Sequence, residues 1–175
     1  SDTVGKTVRG RATWLVVNLV TATLASLIIG LFDATIEQMV ALAVLMPIVA
    51  SMGGIAGSQT LTLVIRGLAL GQVQAGNLRL LFNREIGISA INGVLWAAVI
   101  GALVYAWFGS VMLGSIIGAA ILINLLTAAL AGLGIPLLLH RLGIDPVLAG
   151  GVILTTVTDV VGFFAFLGLA TLWLL

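Results

Sequence analysis

Residues 147–175 read VLAGGVILTTVTDVVGFFAFLGLATLWLL and carry a single charge, Asp159. About 20 predominantly apolar residues suffice for a helix to cross the roughly 30 Å hydrocarbon core of a bilayer. The stretch therefore predicts a transmembrane helix with a carboxylate inside it. At about 1.5 Å of rise per residue, Asp159 lies about 18 Å from the start of the run, near the bilayer centre. An ionisable group at that depth costs about 2.5–3.5 kcal/mol on insertion scales and is by default a candidate functional group.

Four further runs of this kind precede it, at about 12–32, 39–65, 86–108 and 111–139. The composition agrees: 61% of the residues are hydrophobic and 7% are charged, against about 25% charged in a typical soluble domain. So few charges cannot cover the surface of a water-soluble fold of this size. The expected fold class is an all-α membrane protein, a bundle of five transmembrane helices. With no cysteine in the chain, disulfides and thiolate metal sites are excluded.

The charges orient the bundle. Lys6, Arg9 and Arg11 precede the first run, Arg66, Arg79 and Arg84 lie between the second and third, and Arg141 lies between the fourth and fifth. With five spans all seven basic residues fall on one side, which the positive-inside rule makes the cytoplasm. The N-terminus is then cytoplasmic and the C-terminus external, in a plasma (inner) membrane. The chain opens Ser1-Asp2-Thr3 without an initiator methionine. It reads as a processed or truncated piece, with 1–11 the end of a cytoplasmic linker and 12–175 the membrane domain. The first apolar run is full length and lacks a small-residue cleavage site, so it does not read as a secretory signal. Residues 77–83 (NLRLLFN) fit either a short interfacial helix or an ordinary loop.

Asp159 is the one acidic residue that no loop or span end accounts for; Asp2, Asp33, Glu37, Glu85 and Asp145 all fall at ends. Gly151, Thr155, Asp159 and Gly162 follow one another at spacings of four, four and three, so they share a helix face. Such a small, polar stripe, with Thr158 beside it, can line a water-filled path. The alternative is a carboxylate satisfied within the bundle by its threonines, or by Asn124, Asn18 or Asn92. The second irregular region surrounds Pro47, Gly53 and Gly54. There the proline removes a backbone donor and crowds the carbonyl of Ala43, which predicts a helix broken, tilted or kinked near the path, or a kink made for packing alone. Small-xxx-small pairs (Gly53/Gly57, Gly67/Gly71, Gly114/Gly118, Ala128/Gly132) read as close helix packing. His140 reads as a loop residue, and no P-loop, nucleophile elbow or His-x-x-x-His pair points to an enzyme.

One carboxylate per chain is little for an ion path. A two-fold homodimer would bring two copies of Asp159 to one axis, and Mg²⁺ binds through one or two carboxylates while keeping most of its waters. The residues alone leave Mn²⁺, Ca²⁺, Co²⁺, a proton or sodium open.

Three runs carry a family resemblance: MPIVASMGGIAGSQTLTLVIRGLALG at 46–71, REIGISAINGV at 84–94 and ILTTVTDVVGFFAFLGLA at 153–170. They resemble the second, third and fifth spans of the MgtE family of magnesium channels. The resemblance implies a homodimer with five spans per subunit and a pore at the subunit interface. It also implies that Asp159 holds hydrated Mg²⁺ by outer-sphere contacts, with a backbone carbonyl at Thr155 contributing, and that cytoplasmic regulatory domains lie outside these residues. The chain departs from the family pattern at Ile55, where Gly-Gly-Asn is usual, and at Gly151, where many relatives carry asparagine. Two rival readings remain from the residues: a carrier coupling a divalent cation to protons or sodium, and a non-transporting membrane assembly subunit.

Overall fold

The computed structural model describes residues 2–174 and consists of helices: α1 (Asp2–Gly30), α2 (Asp33–Gln38), α3 (Val40–Ala69), α4 (Leu78–Phe108), α5 (Val111–Arg141) and α6 (Pro146–Trp173), with a 3₁₀ turn at Ala75–Asn77. Five of these are long and apolar enough to cross a membrane. In hydrocarbon every backbone N–H and C=O must be satisfied within the protein, which a continuous helix does by itself.

Helix α5 is the centre of the bundle. It packs against α3, α4 and α6, and α3 and α6 also pack against each other. Helix α1 lies along α6, and α4 lies along α5. Glycines set the closest approaches. A Cβ on Gly114 of α5 would stand 2.7 Å from the carbonyl oxygen of Gly101 on α4, and one on Gly132 would stand 2.8 Å from that of Gly57 on α3. With little hydrophobic drive between helices in lipid, this close van der Waals contact is what holds them together. The Gly114 and Gly132 members of the small-residue pairs are thus packing residues, while Gly67 is covered by Val73 of its own connection.

Helices α3 and α6 run antiparallel in a register fixed by three contacts: Val49 covers Gly162, Leu154 covers Gly57 and Leu61 covers Gly150. As numbers rise on α3 they fall on α6, so Ile55 lies at the level of Thr156 and Met52 at the level of Asp159.

Several expected boundaries move. The stretch 2–11, expected as the end of a linker, is already helical and continuous with the first span; Ser1 and Leu175, which the expected linker and fifth span included, lie outside the described residues. The polar break at 33–38 is the short helix α2, tied to α6 by a 2.8 Å hydrogen bond between the hydroxyls of Thr35 and Thr171. Residues 78–83 are neither a separate interfacial helix nor a loop but the first turns of α4. Arg66 sits in the last turn of α3, and His140 and Arg141 in the last turn of α5 rather than in loops, where cations complement the helix dipole. Helix α3 runs unbroken from Val40 to Ala69 with Pro47 inside it, so Pro47, Gly53 and Gly54 do not break it. Its 30 residues span about 45 Å, more than one crossing requires.

The two-residue break between α4 and α5 works as a tight hairpin. Gly109 ends α4 at φ 68°, and the Ser110 hydroxyl caps α5 by accepting from the amide of Leu113 at 3.1 Å. The fifth span starts similarly: Asp145 accepts from the Val147 amide at 3.0 Å and Pro146 occupies the first helical position.

Candidate functional site

The faces of α6 sort the predicted residues. Gly150, Leu154, Thr158, Gly162, Phe166 and Ala170, four apart, form the stripe buried against the rest of the subunit. One residue on, about 100° around the helix, lie Gly151, Thr155 and Asp159. Gly151 and Thr155 are exposed and Asp159 is half-buried. A Cβ on Gly151 would meet nothing within 4 Å. The structure thus brings Gly151, Thr155 and Asp159 together on an uncovered strip of the subunit.

Thr158 and Gly162 are elsewhere. Thr158 is fully buried, and its hydroxyl donates to the carbonyls of Leu154 at 3.1 Å and Thr155 at 3.2 Å. Gly162 is closed over by the Asn124 amide and Val49. Neither lines the exposed strip: Thr158 is one residue, about 100°, from Asp159, and Gly162 shares the azimuth of Gly151 and Thr155 but at its level that side of α6 is covered by α3 and α5. The Thr158 side chain reaches the strip at the carbonyl oxygen of Thr155.

The threonines do not satisfy Asp159. The Thr156 hydroxyl donates to the Val152 carbonyl at 2.8 Å, and Thr158 is engaged as above. Nor do the asparagines among the described residues. Asn124 is completely buried and donates from Nδ2 to the Val49 carbonyl at 3.1 Å, leaving its Oδ1 without a partner. Asn92 lines a cavity between α3 and α4, and Asn18 is exposed on α1. Asp159 is left with its carboxylate free for whatever covers the strip.

No group of three or more His, Cys, Asp or Glu side chains gathers among the described residues. A cation on the strip of one subunit would meet one carboxylate, the Thr155 hydroxyl and carbonyl, and water. That donor set suits a hard cation holding much of its hydration shell. On α3, Pro47, Ser51 and Ile55 are exposed at four-residue spacing, and Ile55 is level with the upper part of the strip. Gly53 is instead buried under Asn124, and Gly54 is half-buried with nothing within 4 Å of its Cβ position.

Sequence reading placed Glu85 at a span end. It is buried in α4, with Ser89 and Asn92 following on the same face at steps of four and three. That spacing is legible once α4 is known to begin at Leu78.

A family model described as a divalent cation transporter, MgtE, matches residues 46–169. The chain is 32% identical over 161 residues to a magnesium transporter MgtE of Bacillus subtilis (strain 168), covering 92% of this chain and 36% of the relative. It is 33% identical over 164 residues to a magnesium transporter MgtE of Thermus thermophilus, covering 94% of this chain and 36% of the relative. It thus spans about a third of the length of the curated relatives it matches. With five membrane-length helices and a family match across most of them, the chain belongs to the MgtE family of divalent cation transporters.

Proposed function

We propose that this chain is the ion-conducting unit of a Mg²⁺ transporter, active as a two-fold homodimer whose pore runs along the Gly151–Thr155–Asp159 strips of the two copies. The observation that carries the reading is the uncovered strip. A carboxylate near mid-span, unsatisfied by its own helix or by the asparagines among the described residues, sits where a second copy would enclose it. Two copies would place a charge of −2 at the axis, matching one divalent ion. Mg²⁺ gives up its waters reluctantly, so Asp159 and the Thr155 carbonyl act on the hydration shell rather than on the bare ion.

Transport runs inward and passively. A divalent ion crossing 100 mV gains about 4.6 kcal/mol, twice the roughly 2.3 kcal/mol per unit charge, so neither ATP nor a counter-ion is required. By the positive-inside rule the one-sided basic residues favour an N-terminus in the cytoplasm, where regulatory domains outside these residues would act.

The test is Mg²⁺ entry into proteoliposomes at a fixed inside-negative voltage, comparing the parent chain with Asp159→Asn. Saturable uptake lost in the variant, with the fold intact, supports the assignment. Equal uptake by both overturns it.

A further inference from the structure

A second carboxylate is buried between α3 and α4, away from the exposed face of α6. Glu85 is 9% exposed, and Thr60, facing it from α3, is 5% exposed. Helices α3 and α4 are consecutive, yet each packs on α5 and they hardly touch one another. The gap between them is a cavity of about 140 Å³. Its polar lining is Gln59 and Thr60 from α3 and Glu85, Ser89 and Asn92 from α4. Glu85, Ser89 and Asn92 share one face of α4, and across the gap stand Gln59 and Thr60, neighbours in sequence, flanked on α3 by Ala56 and Leu63.

Glu85 is poorly satisfied there. The Thr60 hydroxyl stands 3.4 Å from Glu85 Oε2 and 3.5 Å from the Ala56 carbonyl. Both are long beside the usual separation of about 2.7–2.8 Å, and one hydroxyl proton cannot serve both acceptors. Glu85 Oε1 takes no hydrogen bond among the described residues. The lining of the smaller cavity holds no basic side chain; Arg84, next in sequence, is exposed and lines the adjoining cavity, which Glu85 also borders. A buried carboxylate without a partner charge is costly, and the one hydrogen bond this one receives, from Thr60, is long. Hydroxyls, amide oxygens and a carboxylate are the donors that hard cations take.

Access is also present. Glu85 and Leu63 form a shared wall with a second cavity of about 510 Å³, lined by Gln72, Asn77 and Arg84, next to the α3–α4 connection. A cation arriving from that connection would pass the exposed Arg84 and meet Glu85 at the shared wall.

We propose that Glu85, with Thr60, Gln59, Ser89 and Asn92, forms a second cation site of this chain, separate from Asp159. The ligand is a small hard cation, Mg²⁺ or Na⁺, which share this oxygen chemistry. A cation held there exchanges part of its water shell for side-chain oxygens, Glu85 supplying the charge. This assignment rests on the α3–α4 cavity alone and stands or falls independently of the pore reading.

The test uses the chain in zwitterionic nanodiscs, with Asp159→Asn removing the strip carboxylate. Thermal unfolding is followed against MgCl₂, NaCl and choline chloride. The Asp159→Asn protein is expected to keep a saturable stabilisation by Mg²⁺ or by Na⁺ and none by choline. Adding Glu85→Gln is expected to raise the half-saturating concentration at least about tenfold. Saturation by one salt and not the other names the cation. Identical dependence with and without Glu85→Gln, or none in the Asp159→Asn protein, overturns the site. If the Glu85→Gln protein does not fold, Ser89→Ala and Asn92→Ala each take its place, and unchanged saturation in both overturns it. Because the readout is binding in the absence of Asp159, a failed uptake assay cannot be mistaken for a failure here.

Discussion

Asn124 on α5 donates from Nδ2 to the carbonyl of Val49 on α3 at 3.1 Å, and the same amide fills the space where Gly53 of α3 and Gly162 of α6 have no side chain. One polar residue thus bolts the three central helices together. A methyl at either glycine would collide with it. Gly53→Ala is expected to destabilise the bundle by about 1–3 kcal/mol, as overpacking does. Asn124→Ala alone is expected to cost about 0.6–1.7 kcal/mol, the range for hydrogen bonds inside membrane bundles. The double variant should be more stable than the sum of the two losses, since each change removes the other's clash or gap. Reversible unfolding in mixed micelles measures all three; strict additivity would show that Asn124 does not occupy that space.

The seam between α4 and α5 makes a separate prediction. Gly101 and Gly114 face each other so that a Cβ on either would stand 3.0 Å or less from the other's carbonyl oxygen. Backbone, unlike a side chain, cannot step aside. Gly114→Val is therefore expected to force the helices apart and cost more than Gly134→Val on the same helix, where a Cβ meets nothing within 4 Å. Equal losses of unfolding free energy for the two variants would remove the seam.

These contacts mark the limit of what the sequence made legible. Apolar run length and the one-sided placement of Lys6, Arg9, Arg11, Arg66, Arg79, Arg84 and Arg141 were enough to predict five membrane helices, because both follow from lipid as solvent. Helix ends were less legible: polar residues such as Arg79 and Arg84 continue a helix beyond the hydrocarbon, so hydropathy ends before the helix does. Asp159 stood out because it is alone in its run. Thr158 and Gly162 were misplaced because periodicity gives relative faces but not which neighbour covers them. Glu85 was hidden by the assumption that a charge near the edge of a run belongs to a loop.

Thr158 offers a test of the Thr155 carbonyl. Its hydroxyl reaches that oxygen at 3.2 Å from inside the bundle and so competes with any ligand on the strip. Thr158→Val, nearly the same in shape, removes the competitor. The apparent affinity for Mg²⁺ in the uptake assay should rise about threefold, corresponding to ~0.6 kcal/mol for one intramembrane hydrogen bond. Thr155→Val keeps the carbonyl and should leave uptake close to that of the parent chain, whereas Asp159→Asn abolishes it. A loss with Thr155→Val as deep as with Asp159→Asn would make the hydroxyl, not the carbonyl, the ligand.

Passive transport makes voltage the driving force. Raising an inside-negative potential from 50 to 100 mV adds about 2.3 kcal/mol for a divalent ion, so initial Mg²⁺ uptake should rise steeply with voltage set by a potassium gradient and ionophore. At fixed voltage, a pH or sodium gradient should change nothing. Uptake that follows either gradient would replace the channel with a coupled carrier.

The dimer axis can be located with cysteines, because the chain has none of its own and a single introduced thiol is unambiguous. At an isologous interface, only residues close to the two-fold axis meet their own copies. If the strips of two subunits line one path, Gly151→Cys and Thr155→Cys stand near that axis, and mild oxidation should convert each to a covalent dimer. A disulfide requires Cα atoms within about 7 Å, so a wide open path would slow the reaction, and added Mg²⁺ held between the copies of Asp159 should change its rate. Leu103→Cys is the control: it is equally open to the outside but lies on α4, which packs on the far side of α5. Cross-linking at 151 or 155 and not at 103 places the axis on α6. Cross-linking at 103 alone would move the interface to α4 and leave Asp159 facing lipid, an arrangement its desolvation cost argues against.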